Sequence, residues 1–453
     1  MSQKARVPGP RSPRAQLRAG IGLSRDAYTT TLGLQREFGD VVAVGWGPTR
    51  YTFVFGAEAN QIVLADQHDS FAWRPMTKVL IPVDGDTALV VSDGDDHARR
   101  RRVVQPAFGH KMLGRYAEVM REEVERAIAG LAVGQVVEVR SWFGEIIRTV
   151  VLRSLFGDSF GARSEEFGRL LERPIAYVQR SPVQRRDIDL PGFAFHRARL
   201  DRDAADAIVF DEIAARRRRR TESRVARPVG QSATPDIVDR LLDAADDGST
   251  LSDVEVRDQV VSLVAAGLDT SSAGMAWTLH ALSRDDALAG ELRESLGDGT
   301  HAEGAGLLAA VVSESLRLYP PGPFSGRGVV RDVEVLGVPL RAGSRVVWSP
   351  YVTHRMERYW PEPLAFRPRR WLDEHGRAVE PVPFSYVPFG GPYRRCIGAA
   401  FARLEMEIMT ASWVRRVRCE PAIPGAPEPE AYGVASMNPR GGVRLRITGL
   451  VAV

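Results

Sequence analysis

A single cysteine, Cys396, lies in a loop whose composition suits a thiolate that binds a metal. The run from Pro388 to Gly398 reads PFGGPYRRCIG, with two glycines ahead of the sulfur and two arginines directly before it. Apolar residues recur at helical spacing between Ile397 and Ala411, which predicts a helix that starts at Cys396. A helix start and neighbouring cations favour the thiolate, the form of cysteine that ligates metals. The alternative is a buried and inert cysteine, which is the commoner situation for an isolated one.

A second candidate site is an acid beside an alcohol within a predicted long helix. Ser252 and Glu255 form a capping box, and a long helical pattern follows. Its centre reads Ala266-Gly267-Leu268-Asp269-Thr270, in which the glycine weakens the helix and the threonine hydroxyl can bond back to a carbonyl. Asp269 and Thr270 are therefore suited to proton transfer at a local opening of the helix. The alternative is a kinked helix whose small residues serve packing alone.

A third pattern is an acid and a base on one face of a helix. Glu314 and Arg317 stand three residues apart, just before Pro320 and Pro321 end the helical pattern. An exposed pair of this kind contributes at most about 1 kcal/mol, so a surface ion pair is the default interpretation.

The cysteine loop resembles the haem-ligand loop of the cytochrome P450 family. Phe389, Arg394, Cys396 and Gly398 stand at the spacing of that loop, and Pro392 replaces a usual glycine. The resemblance implies that Cys396 is the axial thiolate ligand of haem b (iron protoporphyrin IX), with the other three residues around the cofactor. Because proline fixes φ at about −65°, the replacement leaves the shape of the loop open.

The long helix carries a second resemblance to the same family. Ala266, Gly267, Asp269 and Thr270 match the family's oxygen-activation motif at the small, glycine, acid and threonine positions. The resemblance implies that Asp269 and Thr270 lie over the iron and relay protons to bound oxygen.

The acid–base pair matches the Glu-x-x-Arg helix of the family. The implied third partner of Glu314 and Arg317 is Arg370, in the segment Phe366-Arg367-Pro368-Arg369-Arg370. Arg369 stands where the family usually has an acid. These residues are expected to form a structural frame on the cysteine side of the haem.

Four basic residues resemble the family's partners of the two haem propionates. His97 and Arg101 stand four apart on one predicted helix, Arg394 stands two residues before the cysteine, and Arg327 follows the Glu-x-x-Arg helix. Arginine matches carboxylate geometry well, which supports the assignment. The alternative for each is an ordinary surface residue.

Further arginines predict a basic docking face for an acidic electron donor. We expect this face to consist of Arg99, Arg100, Arg102, Arg395 and Arg403. Another run, from Arg216 to Arg220, has no interleaved aromatic residues, so we interpret it as a solvated helix end and not as a nucleic-acid patch.

Composition narrows the class of protein and its compartment. The chain has 453 residues, of which 44% are hydrophobic, and a net charge of +4, too small to indicate nucleic-acid binding. Its two cysteines favour a reducing compartment, and no apolar run approaches the roughly 18 residues that span a bilayer. We therefore predict a cytoplasmic monomer without a membrane anchor.

The pattern along the chain predicts a mainly α protein with a small β part. Strand-rich stretches at Val41–Trp46 and Tyr51–Phe55 predict a hairpin, and most of residues 97–320 read as helical. Residues 1–20 are predicted to be a flexible basic leader, followed by one domain over residues 21–453. The resemblance implies a triangular cytochrome P450 fold with haem between the long central helix and the cysteine-ligand helix.

The family resemblance implies a haem-thiolate monooxygenase. Such an enzyme inserts one oxygen atom from O₂ into a small apolar substrate, with electrons from a ferredoxin-type donor and an NAD(P)H-dependent reductase. One alternative is a haem-thiolate enzyme that uses peroxide or inserts no oxygen. Another is a haem-binding sensor without turnover. The sequence does not identify the substrate.

Overall fold

Helices dominate the computed structural model, which describes residues 7–157, 160, 161, 163–178, 187–225, 236–243, 248–297 and 305–451. The helices are α1 (Pro13–Arg25), α2 (Ala27–Phe38), α3 (Ala57–Gln61), α4 (Arg74–Thr77), α5 (Ile81–Asp84), α6 (Gly94–Val104), α7 (His110–Ala129), α8 (Val139–Phe156), α9 (Arg163–Val178), α10 (Ala194–Val225), α11 (Ile237–Leu241), α12 (Asp253–Leu282), α13 (Asp286–Leu296), α14 (Ala305–Leu318), α15 (Pro350–Thr353) and α16 (Ala399–Arg416).

Short strands form the small β part. They are β1 (Val41–Val44), β2 (Tyr51–Val54), β3 (Phe71–Ala72), β4 (Val136–Glu138), β5 (Ser325–Val329), β6 (Val333–Val335), β7 (Val338–Leu340), β8 (Arg345–Trp348), β9 (Val417–Pro421), β10 (Ala431–Tyr432), β11 (Asn438–Pro439) and β12 (Arg444–Leu450). The largest sheet has the order β1-β2-β8-β5-β3, with β2 and β8 parallel and the other neighbours antiparallel. A three-stranded sheet has the order β4-β12-β9.

The chain divides into two compact units. The first unit comprises Met1–Met76, Val124–Gly144 and Asp269–Val453, and the second comprises Thr77–Glu123 and Glu145–Leu268. Helix α12 contributes its residues up to Leu268 to the second unit and the remainder to the first.

The predicted hairpin is confirmed at β1 and β2, which pair from Val41↔Val54 to Val44↔Tyr51. Its turn requires glycine at position 45. Gly45 has φ +95°, and a Cβ there would lie 2.4 Å from the Thr49 carbonyl oxygen. The inner face of the hairpin packs into a core of the first unit that also contains Trp277 of α12, whose indole N–H donates to the Met437 carbonyl at 2.9 Å.

In the second unit, consecutive side chains of α12 hold the backbone of one segment in place. Arg257 donates to the Val83 carbonyl at 3.1 Å, and Asp258 accepts from both the N–H and the hydroxyl of Thr87, at 2.9 and 2.7 Å. Gln259 accepts from the Leu89 N–H and donates to the Thr87 carbonyl, both at 2.9 Å. The segment from Val83 to Leu89 is therefore tied to α12 by polar contacts.

Three sequence predictions are corrected. The expected flexible leader is helical from Pro13 onwards, because Ser12 caps α1 and proline suits the first turn. The helix after the cysteine begins at Ala399, three residues later than expected, because Gly398 occupies its cap position. The arginine run departs from a solvated helix end at its first residue: Arg216 is 4% exposed and bonds to Glu212, Asp236 and the Phe156 carbonyl, whereas residues 217–219 are exposed as expected.

Other expectations hold. The capping box is present, because the Ser252 N–H donates to the Glu255 carboxylate at 3.0 Å and the Glu255 N–H donates to the Ser252 hydroxyl at 3.2 Å. By contrast, the local opening expected at Gly267–Thr270 is wrong, because α12 continues through these residues as one helix. Across the described ranges, no helix is both long and apolar enough to span a membrane.

Candidate active site

The cysteine loop presents Cys396 at the surface of the first unit. The Cys396 N–H donates to the Phe389 carbonyl at 2.9 Å, which closes the loop into a ring of backbone. Gly390 adopts φ +78°, and a Cβ at Gly391 would lie 2.4 Å from the Leu64 Cβ, so the loop packs against the helical turn Ile62–Asp66 only with glycine there. The sulfur-bearing residue is exposed and stands just ahead of α16.

Pro392 fits this loop. It occupies the first position of a short 3-10 turn over Pro392–Arg394, where a missing N–H costs no hydrogen bond and its fixed φ suits the turn. The left-handed conformation falls at Gly390 instead. Tyr393, next in the turn, stacks on His68 with the ring centroids 3.5 Å apart.

The structure brings Glu314, Arg317 and Arg370 together in a frame around a fully buried ion pair. Arg317 donates from Nε and Nη2 to the two oxygens of Glu314, each at 2.8 Å, and Arg370 Nε donates to Glu314 at 3.0 Å. The Arg367 N–H and the Trp371 indole also donate to Glu314, at 2.8 and 2.9 Å. Because Glu314 and Arg317 are both 0% exposed, this is not the surface ion pair of the default interpretation.

His354 connects the frame to the cysteine loop, a role that sequence reasoning missed. Its Nδ1 lies 3.0 Å from the Arg317 carbonyl oxygen, and its Nε2 accepts from the Val387 N–H at 3.0 Å. Burial lowers the pKa of His354 to about 3, so the ring is neutral with its proton on Nδ1. Val387 is two residues from Phe389, so the frame fixes the start of the loop.

Two of the residues predicted to bind the haem propionates, Arg327 and Arg394, lie in the first unit. Both lie near Trp73, which the sequence did not single out. Arg327 is buried, and its guanidinium carbon lies 3.6 Å from the centre of the Trp73 ring. The guanidinium carbon of Arg394 lies 5.7 Å from the same ring. Arg327 also donates to the Ser325 hydroxyl and the Gly326 carbonyl, at 3.0 and 2.8 Å.

The other two residues predicted to bind the haem propionates lie on α6, in the second unit. His97 is buried and Arg101 is half-buried. Their neighbours Arg99 and Arg100 both donate to Glu255, and although burial opposes it, these bonds and the Ser252 N–H lower the pKa of Glu255 to about 2.

The expected docking face is contradicted at Arg100, which is buried. Arg99 and Arg100 are engaged with Glu255, and Arg403 donates to the Ser313 hydroxyl at 3.0 Å. The sequence could not show this, because each partner is distant along the chain. Arg102 and Arg395 are exposed.

The acid–alcohol motif occupies an accessible stretch of an otherwise buried helix. Residues 255–262 and 271–280 of α12 are all buried, whereas 265–270 are half-buried or exposed, with Ala266 exposed and Gly267, Asp269 and Thr270 half-buried. A Cβ at Gly267 would touch only the Val151 side chain, at 3.6 Å. The small residues therefore leave the helix surface open at the motif.

Asp269 is held by an arginine that the sequence did not suggest. Arg140, in the first turn of α8, forms an ion pair with the Asp269 carboxylate in the first unit. Asp269 is more buried than Arg140, whose side chain is 36% exposed. The ion pair fixes the direction of the carboxylate, and Arg140 is its more exposed partner. No local pattern could have indicated it, because Arg140 and Asp269 lie on different helices.

Glu405 is a buried acid on α16 that the sequence analysis did not consider. Its side chain is fully buried, and neither carboxyl oxygen has a hydrogen bond of good geometry within the described residues. The Ser271 hydroxyl is close enough to lower the pKa of Glu405. Burial is the larger effect and raises the pKa of Glu405 to about 8. The folded protein therefore holds this carboxyl protonated at neutral pH.

We expect Glu405 to make the protein less stable as pH rises. The folded state keeps a proton that the unfolded chain releases above its ordinary pKa of 4.5, so the stabilisation is complete at low pH and is lost towards pH 8. Between pH 5 and 8, the free energy of unfolding should fall by up to about 1.4 kcal/mol per pH unit more in the wild type than in Glu405→Gln.

Chemical denaturation at several pH values measures this slope. The exposed residue Glu420 provides the control, and Glu420→Gln should follow the wild-type curve. Parallel curves for the wild type and Glu405→Gln would contradict the assignment.

The described residues fit a haem. Cysteine thiolate is a soft ligand suited to haem iron, and the exposed position of Cys396 leaves the sulfur accessible. Arg327 and Arg394 supply two guanidinium groups for two carboxylates, and the arginine fork matches that geometry. A cysteine loop fixed by a buried frame, with two arginines nearby, would therefore suit a haem held by a cysteine thiolate.

Comparisons with known proteins support the fit of this site to a haem. The family model described as Cytochrome P450 matches residues 15–445. "Putative cytochrome P450 139" of Mycobacterium bovis is 35% identical over 429 residues, covering 92% of this chain and 96% of its own. Cyclooctatin synthase of Streptomyces melanosporofaciens is 32% identical over 400 residues, which cover 85% of this chain and 84% of that protein. A solved cyanobacterial cytochrome P450 with bound retinoic acid has a TM-score of 0.81 at 23% identity. The match covers 98% of this chain and 99% of that protein.

The chain therefore belongs to the cytochrome P450 family. The predicted fold class, mainly α with a small β part in the cytochrome P450 fold, is confirmed. As a member of this family the protein is an oxidoreductase, a haem-thiolate monooxygenase in the general sense, and family membership implies haem with a cysteine thiolate ligand.

Proposed function

We propose that this protein binds haem b through Cys396 and inserts one atom of O₂ into a small apolar substrate. The observation that carries the proposal is the cysteine loop fixed through His354 to the buried frame of Glu314 and Arg317. Electrons come from a ferredoxin-type donor and its NAD(P)H-dependent reductase. The two cysteines of the chain support a reducing, cytoplasmic location.

The residues of the site have separate tasks in this proposal. When bound, the haem supplies the redox chemistry and the binding of oxygen, while the protein orients the groups around it. Cys396 binds the iron as a thiolate and tunes its electronic properties. Arg327 and Arg394 hold the carboxylates, with His97 and Arg101 proposed for the same task from α6. Phe389 and Gly398 shape the loop around the sulfur.

Proton delivery falls to the accessible stretch of α12. The Asp269 carboxylate is held by Arg140, the more exposed partner of the ion pair, which suits Asp269 to the outer end of a proton relay. The Thr270 hydroxyl can accept and donate a proton at once, which suits the inner end of a relay. Ala266 and Gly267 keep the adjacent helix surface open.

Turnover with surrogate redox partners tests the proposed function. Purified protein should take up oxygen when supplied with NADPH, a ferredoxin and its reductase, and apolar ligands should shift the haem absorption band. The ligand screen includes cyclooctatin, the compound in the name of one relative. Extraction of the cofactor identifies haem b. Full reduction without oxygen uptake in the presence of any ligand would instead indicate a sensor.

Removal of the Thr270 hydroxyl should uncouple oxygen consumption from product formation. Thr270→Ala removes one proton donor, so we expect product formed per NADPH to fall by at least tenfold while hydrogen peroxide rises. Thr270→Ser keeps the hydroxyl and should stay close to the wild type. Equal coupling in the alanine and serine variants would show that this hydroxyl carries no proton.

Charge reversal at Arg395 should slow electron delivery. Arg395 is exposed directly before Cys396, so an acidic donor that docks near the sulfur meets this charge. In Arg395→Glu we expect stopped-flow reduction by ferredoxin to slow by about tenfold at low ionic strength, with a smaller difference at high salt. Arg18→Glu makes the same charge change on an exposed position of α1 and serves as the control. Equal rates in the two variants would contradict docking at the loop.

A further inference from the structure

Trp73 stands where two cations of the site converge. Strand β3 ends at Ala72, which pairs with Gly328 of β5, so the next residue, Trp73, is delivered beside Arg327. The Arg327 guanidinium carbon lies 3.6 Å from the indole centre and that of Arg394 lies 5.7 Å from it. One aromatic ring thus contacts an arginine from the sheet and an arginine from the cysteine loop.

The strand around Arg327 is built for this close approach. Glycines flank Arg327 on β5, and a Cβ at Gly326 would lie 2.7 Å from Met76 while one at Gly328 would lie 2.7 Å from Pro75. At Gly328 the rigid Pro75 ring leaves no room for a side chain, so the segment after Trp73 lies directly on the strand. This packing places the indole beside Arg327 without involving either arginine.

Two indole rings restrict Arg327. Arg327 is 3% exposed, and the Trp348 ring lies on it at 5.9 Å in addition to Trp73. A desolvated guanidinium over an indole face gains substantially from the ring's negative face. Two positive charges drawn to one ring also repel each other, and an anionic ligand near both removes that cost.

We propose that Trp73 is a positioning residue for the cofactor: it fixes the guanidinium groups of Arg327 and Arg394 so that both meet one dicarboxylate edge. The inference rests on the proposed function, because the dicarboxylate is the haem. It adds a residue outside the motifs and attributes the orientation of both arginines to a single side chain. Its signature is coupling between Trp73 and Arg394 in haem retention.

Haem transfer from the purified holoprotein to excess apomyoglobin tests this. Trp73→Leu keeps apolar packing but removes the aromatic face, and we expect transfer about tenfold faster than in the wild type. Trp73→Phe keeps a weaker aromatic face, so its rate of haem transfer should lie between those of the wild type and Trp73→Leu. Trp46→Leu is the control, since Trp46 is 52% exposed on the hairpin turn, and it should match the wild type.

A double-mutant cycle separates positioning from simple packing. Arg394→Gln should accelerate transfer strongly in the wild type and much less in Trp73→Leu, because the leucine variant has already lost the orientation of Arg394. Additive effects, or wild-type transfer by Trp73→Leu, would overturn the role of Trp73. Unchanged transfer in both Arg327→Gln and Arg394→Gln would instead overturn the assignment of these arginines to the haem carboxylates in the proposed function.

Discussion

Cys396→Ser is expected to lose the spectroscopic signature of a thiolate-bound haem and at least about a hundredfold of turnover. Serine preserves the backbone of the loop, so the N–H of residue 396 still meets the Phe389 carbonyl. What it removes is the soft, electron-donating ligand. The reduced carbon-monoxide adduct should therefore lack the strongly red-shifted band of the wild type.

The other cysteine provides a matched control. Cys419 is partly buried on β9, and burial raises the pKa of its thiol, which marks it as a packing residue. Cys419→Ser should retain the red-shifted band and turnover. If Cys396→Ser kept that band, Cys396 would not be the ligand, and the proposed function would fail with it.

Glu314→Ala is expected to cost about 3–5 kcal/mol of folding free energy, because it leaves the buried guanidinium of Arg317 without its carboxylate. Glu314 accepts hydrogen bonds from Arg317, Arg370, Trp371 and the Arg367 backbone. Against a typical total of 5–15 kcal/mol, such a loss leaves little folded protein. Denaturant titration of the haem-bound protein measures it.

A surface ion pair shows the contrast. Glu291 of α13 pairs with the exposed Arg369, the residue before Arg370 of the frame. Glu291→Ala should change the free energy of unfolding by no more than about 0.5 kcal/mol. Glu314→Gln, which keeps the shape but not the charge, should fall between the two. A Glu314→Ala variant as stable as Glu291→Ala would show that the Glu314 contacts do not stabilise the fold.

Local patterns predicted the elements whose cause is local. The hairpin of β1 and β2 and the start of α12 follow from turn glycines and from a capping box, which act within a few residues. The cysteine loop and the Glu314–Arg317 pair were likewise readable, because both have short motifs. The exact start of α16 was not, since the helical spacing of apolar residues does not show that Gly398 would be the cap.

What the sequence did not give is the choice of distant partners. Arg140 and Asp269, or His354 and Val387, meet only once the fold has formed. The same holds for Arg100, whose burial against Glu255 removes it from the surface. A run of arginines looks alike whether its acids are nearby in space or absent, so composition predicted solvent where the structure has ion pairs.

The frame around Glu314 also bears on the order in which the enzyme is assembled. Both Glu314 oxygens and all three nitrogens of the Arg317 guanidinium have partners within the protein itself. His354 likewise bonds only to backbone groups. The frame can therefore form during folding without any cofactor, and the loop that it fixes is ready before iron arrives. Loading of haem then becomes a binding step onto an existing scaffold, and its rate becomes a property separate from the rate of folding.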